Sequence, residues 1–136
     1  MVKLKTARSK GSQMEIDSEH SLRPIYSDIR RTGGEGMYMQ YDLQTDKGQT
    51  VFECKRLKGI SWNQLVKLYA KLESVKPKGY DCYILFKSNH QPCLVFKQGY
   101  ITTFEDYFMV PFIKHTAVKR GEKNVIQPRV SEETNI

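Results

Sequence analysis

Asp42 and the triplet Glu53-Cys54-Lys55 stand on two short apolar runs joined by a Thr45-Asp46-Lys47-Gly48 turn. Successive strand residues face opposite sides, so Glu53 and Lys55 share one face while Phe52 and Cys54 take the other. If the two runs pair as a hairpin, Asp42 faces Glu53 across it. Two carboxylates beside an ammonium suit one kind of chemistry. Magnesium takes oxygen ligands, usually one or two carboxylates plus water and substrate phosphate. Breaking a phosphodiester needs an activated water, relief of charge on the phosphoryl oxygens and a stabilised leaving oxygen, which such a cation and Lys55 can supply together. Taken alone, an acid and a base two residues apart on a strand are more often a solvated face.

The whole chain tilts the balance. Its 136 residues carry 22 Lys and Arg against 15 Asp and Glu, a net charge of +7. That excess favours a polyanionic partner such as nucleic acid, without choosing between DNA and RNA. The length and a hydrophobic content of 39% suit one domain with one core and loose ends. No apolar run nears the roughly 20 residues needed to cross a bilayer, and the N-terminus lacks the apolar stretch of a secretion signal, so a soluble, cytoplasmic protein is expected. Cys54, Cys82 and Cys93 form no close pair and lie in apolar runs, which predicts free, core-packed thiols and neither a zinc site nor a disulfide. His20, His90 and His115 are scattered and are read as surface or loop residues.

The elements that must position the acids follow from patterning. Residues 1–12, with Lys3, Lys5, Arg8 and Lys10, read as a basic flexible arm. Ile16, Leu22, Ile25, Tyr26 and Ile29 predict an amphipathic helix from Met14 to about Ile29, broken or kinked in its middle by Pro24. Arg30 and Arg31 lead into Thr32-Gly33-Gly34-Glu35-Gly36, a loop whose glycine backbone can approach phosphate. Residues 38–45 and 49–56 form the hairpin. Ser61 caps a helix over 62–75, which Pro77 and Gly79 end; Gln64 in its first turn is read as solvated ahead of a role in orienting water. Tyr80 to Lys87 and Cys93 to Lys97 make a second hairpin, giving four strands in one mixed sheet. Thr102 and Glu105 suggest a capping box for a short helix whose Phe104, Tyr107, Phe108 and Met109 serve as core or as a dimer surface. Residues 114–136 read as a polar flexible tail.

From Arg8 to Phe108 these motifs, in this order, resemble the archaeal-type Holliday junction resolvases of the PD-(D/E)xK nuclease superfamily, which include relatives carried by phages and archaeal viruses. Lys10-Gly11-Ser12-Gln13-Met14-Glu15 matches the family's Lys-Gly-x-x-x-Glu, Arg31-Thr32-Gly33-Gly34-Glu35-Gly36 its Arg and small-residue loop, Asp42 its strand-start Asp, and Glu53-Cys54-Lys55 its Glu-x-Lys. Tyr41 replaces the Pro of the superfamily's name, and Pro24 in the first helix is less expected. The resemblance implies an α/β, restriction-endonuclease-like core over 13–113, with a mixed central β-sheet flanked by helices. It implies that Glu15, Asp42 and Glu53, with the backbone of Cys54, hold Mg2+ or Mn2+ and that Lys55 positions or activates the attacking water. If Glu15 lies out of reach, Asp17 or Glu19 takes its place. Arg8, Lys10, Arg30, Arg31, Gly33, Gly34, Arg56 and Lys58 would contact nucleic acid. The activity implied is paired nicking of four-way or other branched DNA by a homodimer, in the host cytoplasm if the chain is viral. Two other readings stay open: a general nuclease of this superfamily acting on ends, flaps or RNA, and a noncatalytic nucleic-acid-binding protein of the same fold.

Overall fold

A computed structural model describes residues 7–32, 40–56 and 58–114, with side chains from Gln13 onward. Six strands lie side by side in chain order: β1 (Arg30–Arg31), β2 (Leu43–Thr45), β3 (Thr50–Arg56), β4 (Asp81–Lys87), β5 (Leu94–Lys97) and β6 (Tyr100–Thr103). All neighbours are antiparallel except β3 and β4, which run parallel from Thr50↔Asp81 to Arg56↔Lys87. A parallel pair needs a crossover, and helix α2 (Trp62–Val75) supplies it. The chain is thus α/β, a mixed sheet flanked by helices, with the added strands β1 and β6 at its two edges.

Alternation divides the core in two. Phe52, Cys54, Tyr83, Leu85 and Val95 turn to the face covered by α1 (Ala7–Leu22) and α3 (Phe104–Phe108), meeting Met14, Leu22, Phe104 and Phe108. Val51, Cys82, Ile84 and Phe96 turn to α2 and meet Leu65, Tyr69 and Leu72. All three cysteines are free and buried, as expected. Helix α2 spans the residues expected of it, and Ser61 with Gln64 forms a reciprocal capping box: the Ser61 hydroxyl accepts from Gln64 N at 3.1 Å, and Gln64 Oε1 accepts from Ser61 N at 2.8 Å. That cap occupies the Gln64 side chain.

The first helix departs from expectation at both ends. It starts at Ala7, inside the stretch read as a flexible arm, and stops at Leu22, ahead of Pro24. A residue preceding proline disfavours the helical region, so the helix ends there and is not kinked. Ile25, Tyr26 and Ile29 follow in turns closed by Ile25 N to Leu22 O (2.9 Å) and Ile29 N to Tyr26 O (3.1 Å). The short helix α3 is capped by Thr103, not Thr102: its hydroxyl accepts from Asp106 N at 3.1 Å. Glu105, expected in the box, instead accepts from Phe112 N at 3.0 Å. Phe104 and Phe108 are core, while Met109 is exposed. The glycine loop at 33–36 and the tail from 115 lie outside the described residues.

Candidate metal centre

The site forms where β2 begins. Asp42 N donates to Phe52 O at 2.9 Å, and Thr32 N donates to Asp42 O at 2.9 Å, so the residue is held between β3 and the chain leaving β1. The Thr32 hydroxyl also bonds the carbonyl of Tyr41. One step further, the Cys54 N–H finds the Asp42 side chain: Oδ2 accepts from it at 2.7 Å. A carboxylate thus takes a place that a ladder carbonyl would fill in a continuing strand. It lies at the margin between the two faces of the sheet, within reach of groups on either side.

Glu15 comes from α1 on one face, and Asp42 is its strongest charged neighbour. Glu53 comes from the middle of β3 on the opposite, α2 face, and Asp42 is its strongest charged neighbour. Asp42 thus acts electrostatically on both of the other expected acids. Burial pushes all three acids up, assisted by repulsion from Asp42 at Glu15 and Glu53. Glu53 is pushed up to about 7. Two cations balance the acids: Arg31 Nε stands 3.3 Å from Glu15 Oε1, and Lys55 Nζ 3.4 Å from Glu53 Oε2. Lys71, on α2, adds a weaker field on Glu53. It was not foreseen, because a lysine on an exposed helix surface carries no motif.

The substitutes for Glu15 are accounted for elsewhere. Asp17 is buried and accepts from Gln13 Nε2 at 2.8 Å, and Glu19 pairs with Arg23 at 2.6 Å. The Cys54 thiol is buried on the α1 face, so only its main chain can meet a cation. Among the described residues no three His, Cys, Asp or Glu side chains stand as a ready-made metal cage: Glu15 is engaged by Arg31 and Glu53 by Lys55. The donor set nevertheless fits a hard divalent cation. It is all oxygen, partly buried and destabilised by its own charge, and a cation entering among the acids relieves that repulsion.

The expected phosphate contacts divide. Arg31 lies in the site. Arg30, one residue before it on β1, faces the other way and pairs with Asp46 at 3.2 Å at the hairpin turn, so it does not flank the acids. Arg56 ends β3 and donates from Nη2 to Asn89 Oδ1 at 2.8 Å, and Lys58 beyond it is exposed. Gly33 and Gly34 lie outside the described residues, as do Lys3, Lys5 and the side chains of Arg8 and Lys10 within α1.

No family model matches the chain, and no curated protein or solved structure matches it. Among the described residues no helix is long and apolar enough to cross a membrane.

Proposed function

We propose that this chain is a magnesium- or manganese-dependent endonuclease of the PD-(D/E)xK kind that nicks branched DNA, four-way junctions foremost, as a twofold dimer. The observation that carries the reading is that Asp42, at a strand start, repels both Glu15 from a helix and Glu53 from a strand centre, with Lys55 paired to Glu53. A structural ion-pair network has little use for partly buried acids that repel one another, whereas a cation-binding centre does.

Glu15, Asp42 and Glu53 would hold the ion. When bound, it supplies Lewis-acid polarisation of the phosphoryl oxygens and a more acidic water. Lys55 directs its ammonium to the same pocket and orients the attacking water or a phosphoryl oxygen. Asp42 keeps the two faces of the site together through the Cys54 N–H. Arg31 holds Glu15 and is placed to meet the incoming phosphate. A twofold dimer offers two such centres to the two equivalent strands of a junction.

The test is incubation of the pure protein and Mg2+ with a labelled four-way junction, a flap, and matched linear DNA and RNA duplexes. Paired symmetric nicks confined to the junction support the proposal. Equal cutting of every substrate replaces it with a general nuclease, and binding without metal-dependent cutting replaces it with a noncatalytic DNA-binding protein. Lys55→Ala lowers the cleavage rate and leaves affinity nearly intact; a change in affinity alone would make Lys55 a phosphate anchor instead.

A further inference from the structure

Lys55, Phe86 and Leu94 lie in one row across β3, β4 and β5, by the registers Lys55↔Phe86 and Phe86↔Leu94. Paired residues share a face, and strands are about 4.8 Å apart. Phe86 is therefore the immediate neighbour of Lys55 on the α2 face. Phe86 and Leu94, with Ile60 and Pro92, form the apolar walls of an open cleft of about 390 Å³. Ser88 and Gln91 bring a hydroxyl and an amide to its rim, and Lys87 lies beside them. The bond from Arg56 Nη2 to Asn89 Oδ1 ties the end of β3 to the 88–92 turn and fixes one side of the opening. Arg56 also keeps a buried Nε with no partner among the described residues. The cleft thus has a flat aromatic side, apolar walls, a polar rim and cations around it, one strand away from the lysine of the site.

Resting on the nuclease reading, we infer that this cleft holds an unstacked nucleobase of the DNA strand adjoining the phosphate to be cut. A base has two apolar faces and a polar edge. The faces suit Phe86 and Pro92, the edge suits the Gln91 amide and Ser88 hydroxyl, and the flanking phosphates suit Lys87, Lys58 and Arg56. A base stacked inside a continuous duplex cannot enter, whereas one at a branch, bulge or gap can. The cleft would so convert a general phosphodiester centre into one that favours interrupted DNA, through the cost of unstacking and without base sequence.

Gly59 lines the cleft, and a Cβ built on it meets nothing within 4 Å. Gly59→Leu therefore fills the space without disturbing the packed core, which Phe86→Ala would not guarantee. The probe is a DNA duplex with one unpaired 2-aminopurine, compared with the fully paired duplex, both titrated with the full-length wild-type protein and Gly59→Leu in EDTA so that nothing is cut. The wild type should bind the bulged DNA about tenfold more tightly than the paired duplex and change the 2-aminopurine fluorescence at saturation. Gly59→Leu should lose both the preference and the fluorescence change while binding the paired duplex as the wild type does. No fluorescence change at saturation with wild type, or a wild-type response from Gly59→Leu, overturns the inference. Cleavage with Mg2+, followed in parallel, separates the two readings: cutting without the fluorescence response leaves a nuclease without this base site, and the response without cutting leaves the base site on a noncatalytic protein. Absence of DNA binding overturns both.

Discussion

Two groups of carboxylates occupy opposite ends of the β2–β3 hairpin, and they are treated in opposite ways. At the turn, Asp28 accepts from the Thr45 hydroxyl, from Asp46 N at 2.9 Å and from Lys47 N at 3.0 Å. Asp46 in turn accepts from Gln44 Nε2 at 2.6 Å, Tyr80 OH at 2.7 Å and Arg30 Nη1 at 3.2 Å. These donors, the Thr45 hydroxyl first for Asp28 and the Gln44 amide first for Asp46, hold both carboxyls below the usual range. About four residues away along the strands, roughly 13 Å, burial raises Asp42, Glu15 and Glu53, and the main chain gives Asp42 a single donor from Cys54. Acids that serve folding are surrounded by donors and sit in water. Acids that face one another in a partly buried place cost stability, and such clusters mark functional sites more often than structural ones.

The contrast is broken most severely at the acids themselves. On the proposed function, Glu53→Gln and Asp42→Asn would each remove a ligand, and Mg2+-dependent cleavage should fall by about two to three orders of magnitude. DNA affinity should hold or rise, since repulsion between carboxylate and phosphate declines. A filter-binding titration beside the cleavage assay decides: equal loss of binding and cutting would remove the metal role.

The next effect is on stability, and its sign is set by Glu53. A carboxyl that the fold pushes up to about 7 from 4.5 favours the protonated form in the native state. The stability from that proton is complete below about pH 4.5 and is lost as pH rises through about 7. At pH 8 without metal, Glu53→Gln should therefore be more stable than the wild type, on the order of 1–3 kcal/mol, less the lost contact with Lys55. Thermal melts at pH 5 and 8 read it: the gain belongs at pH 8 and should shrink at pH 5. Added Mg2+ at pH 8 should raise the wild-type Tm and leave Glu53→Gln almost unmoved. A variant less stable than wild type at pH 8 would show that the acids are satisfied as they stand.

At the turn, Gly48 is fixed by its neighbour. A Cβ there would lie 2.5 Å from Tyr26 Cδ1 and 2.6 Å from Cε1, and the Tyr26 ring already packs on Phe52 with centroids 5.9 Å apart. Gly48→Ala should cost about 1–3 kcal/mol by urea denaturation, with cleavage per folded molecule unchanged. An unaltered denaturation midpoint would show that Tyr26 yields freely.

What could be read from the sequence follows from how strong each local signal is. Helix α2 is legible because Leu65, Leu68, Leu72 and Val75 are apolar at helical spacing behind a Ser61 cap. The pairing of Glu53 with Lys55 is legible because strand alternation has a fixed period of two. The start of α1 is not, since the face it turns inward is Met14, Asp17, Ser18, Ser21 and Leu22, whose small and polar members leave no apolar stripe. Strand β6 escapes because its hairpin turn is Gln98-Gly99, both at positive φ (50° and 81°), outside the usual Asn-Gly and Asp-Gly signals. Among the candidate site residues, Glu15 was reached through the resemblance. Its meeting with Asp42 depends on tertiary packing of α1, which no local pattern encodes. Arg30 stands apart from the acids for a simpler reason: two adjacent strand residues cannot both face one site.

The smallest effect tests the other half of the comparison. Asp28 holds the turn through three hydrogen bonds while its carboxyl remains open to solvent, so each bond competes with water and the net contribution is modest. Asp28→Asn keeps the shape and one accepting oxygen but removes the charge, so neutral-pH stability should fall by about 1 kcal/mol. The pH dependence runs opposite to that of Glu53. A carboxyl held below its ordinary 3.8 contributes stability present above that value and lost as pH falls through the lowered native one. The loss in Asp28→Asn should thus be full at pH 6 and narrow below about pH 3.8, whereas the Glu53→Gln change, which also grows with pH, is a gain. Melting curves of the two variants across pH 3 to 8 should move to opposite sides of the wild type as pH rises, Asp28→Asn below it and Glu53→Gln above it; if both variants fell below the wild type at pH 8, the two carboxylate groups would be doing the same structural job, and the case for a cation at Asp42 would lose its physical basis.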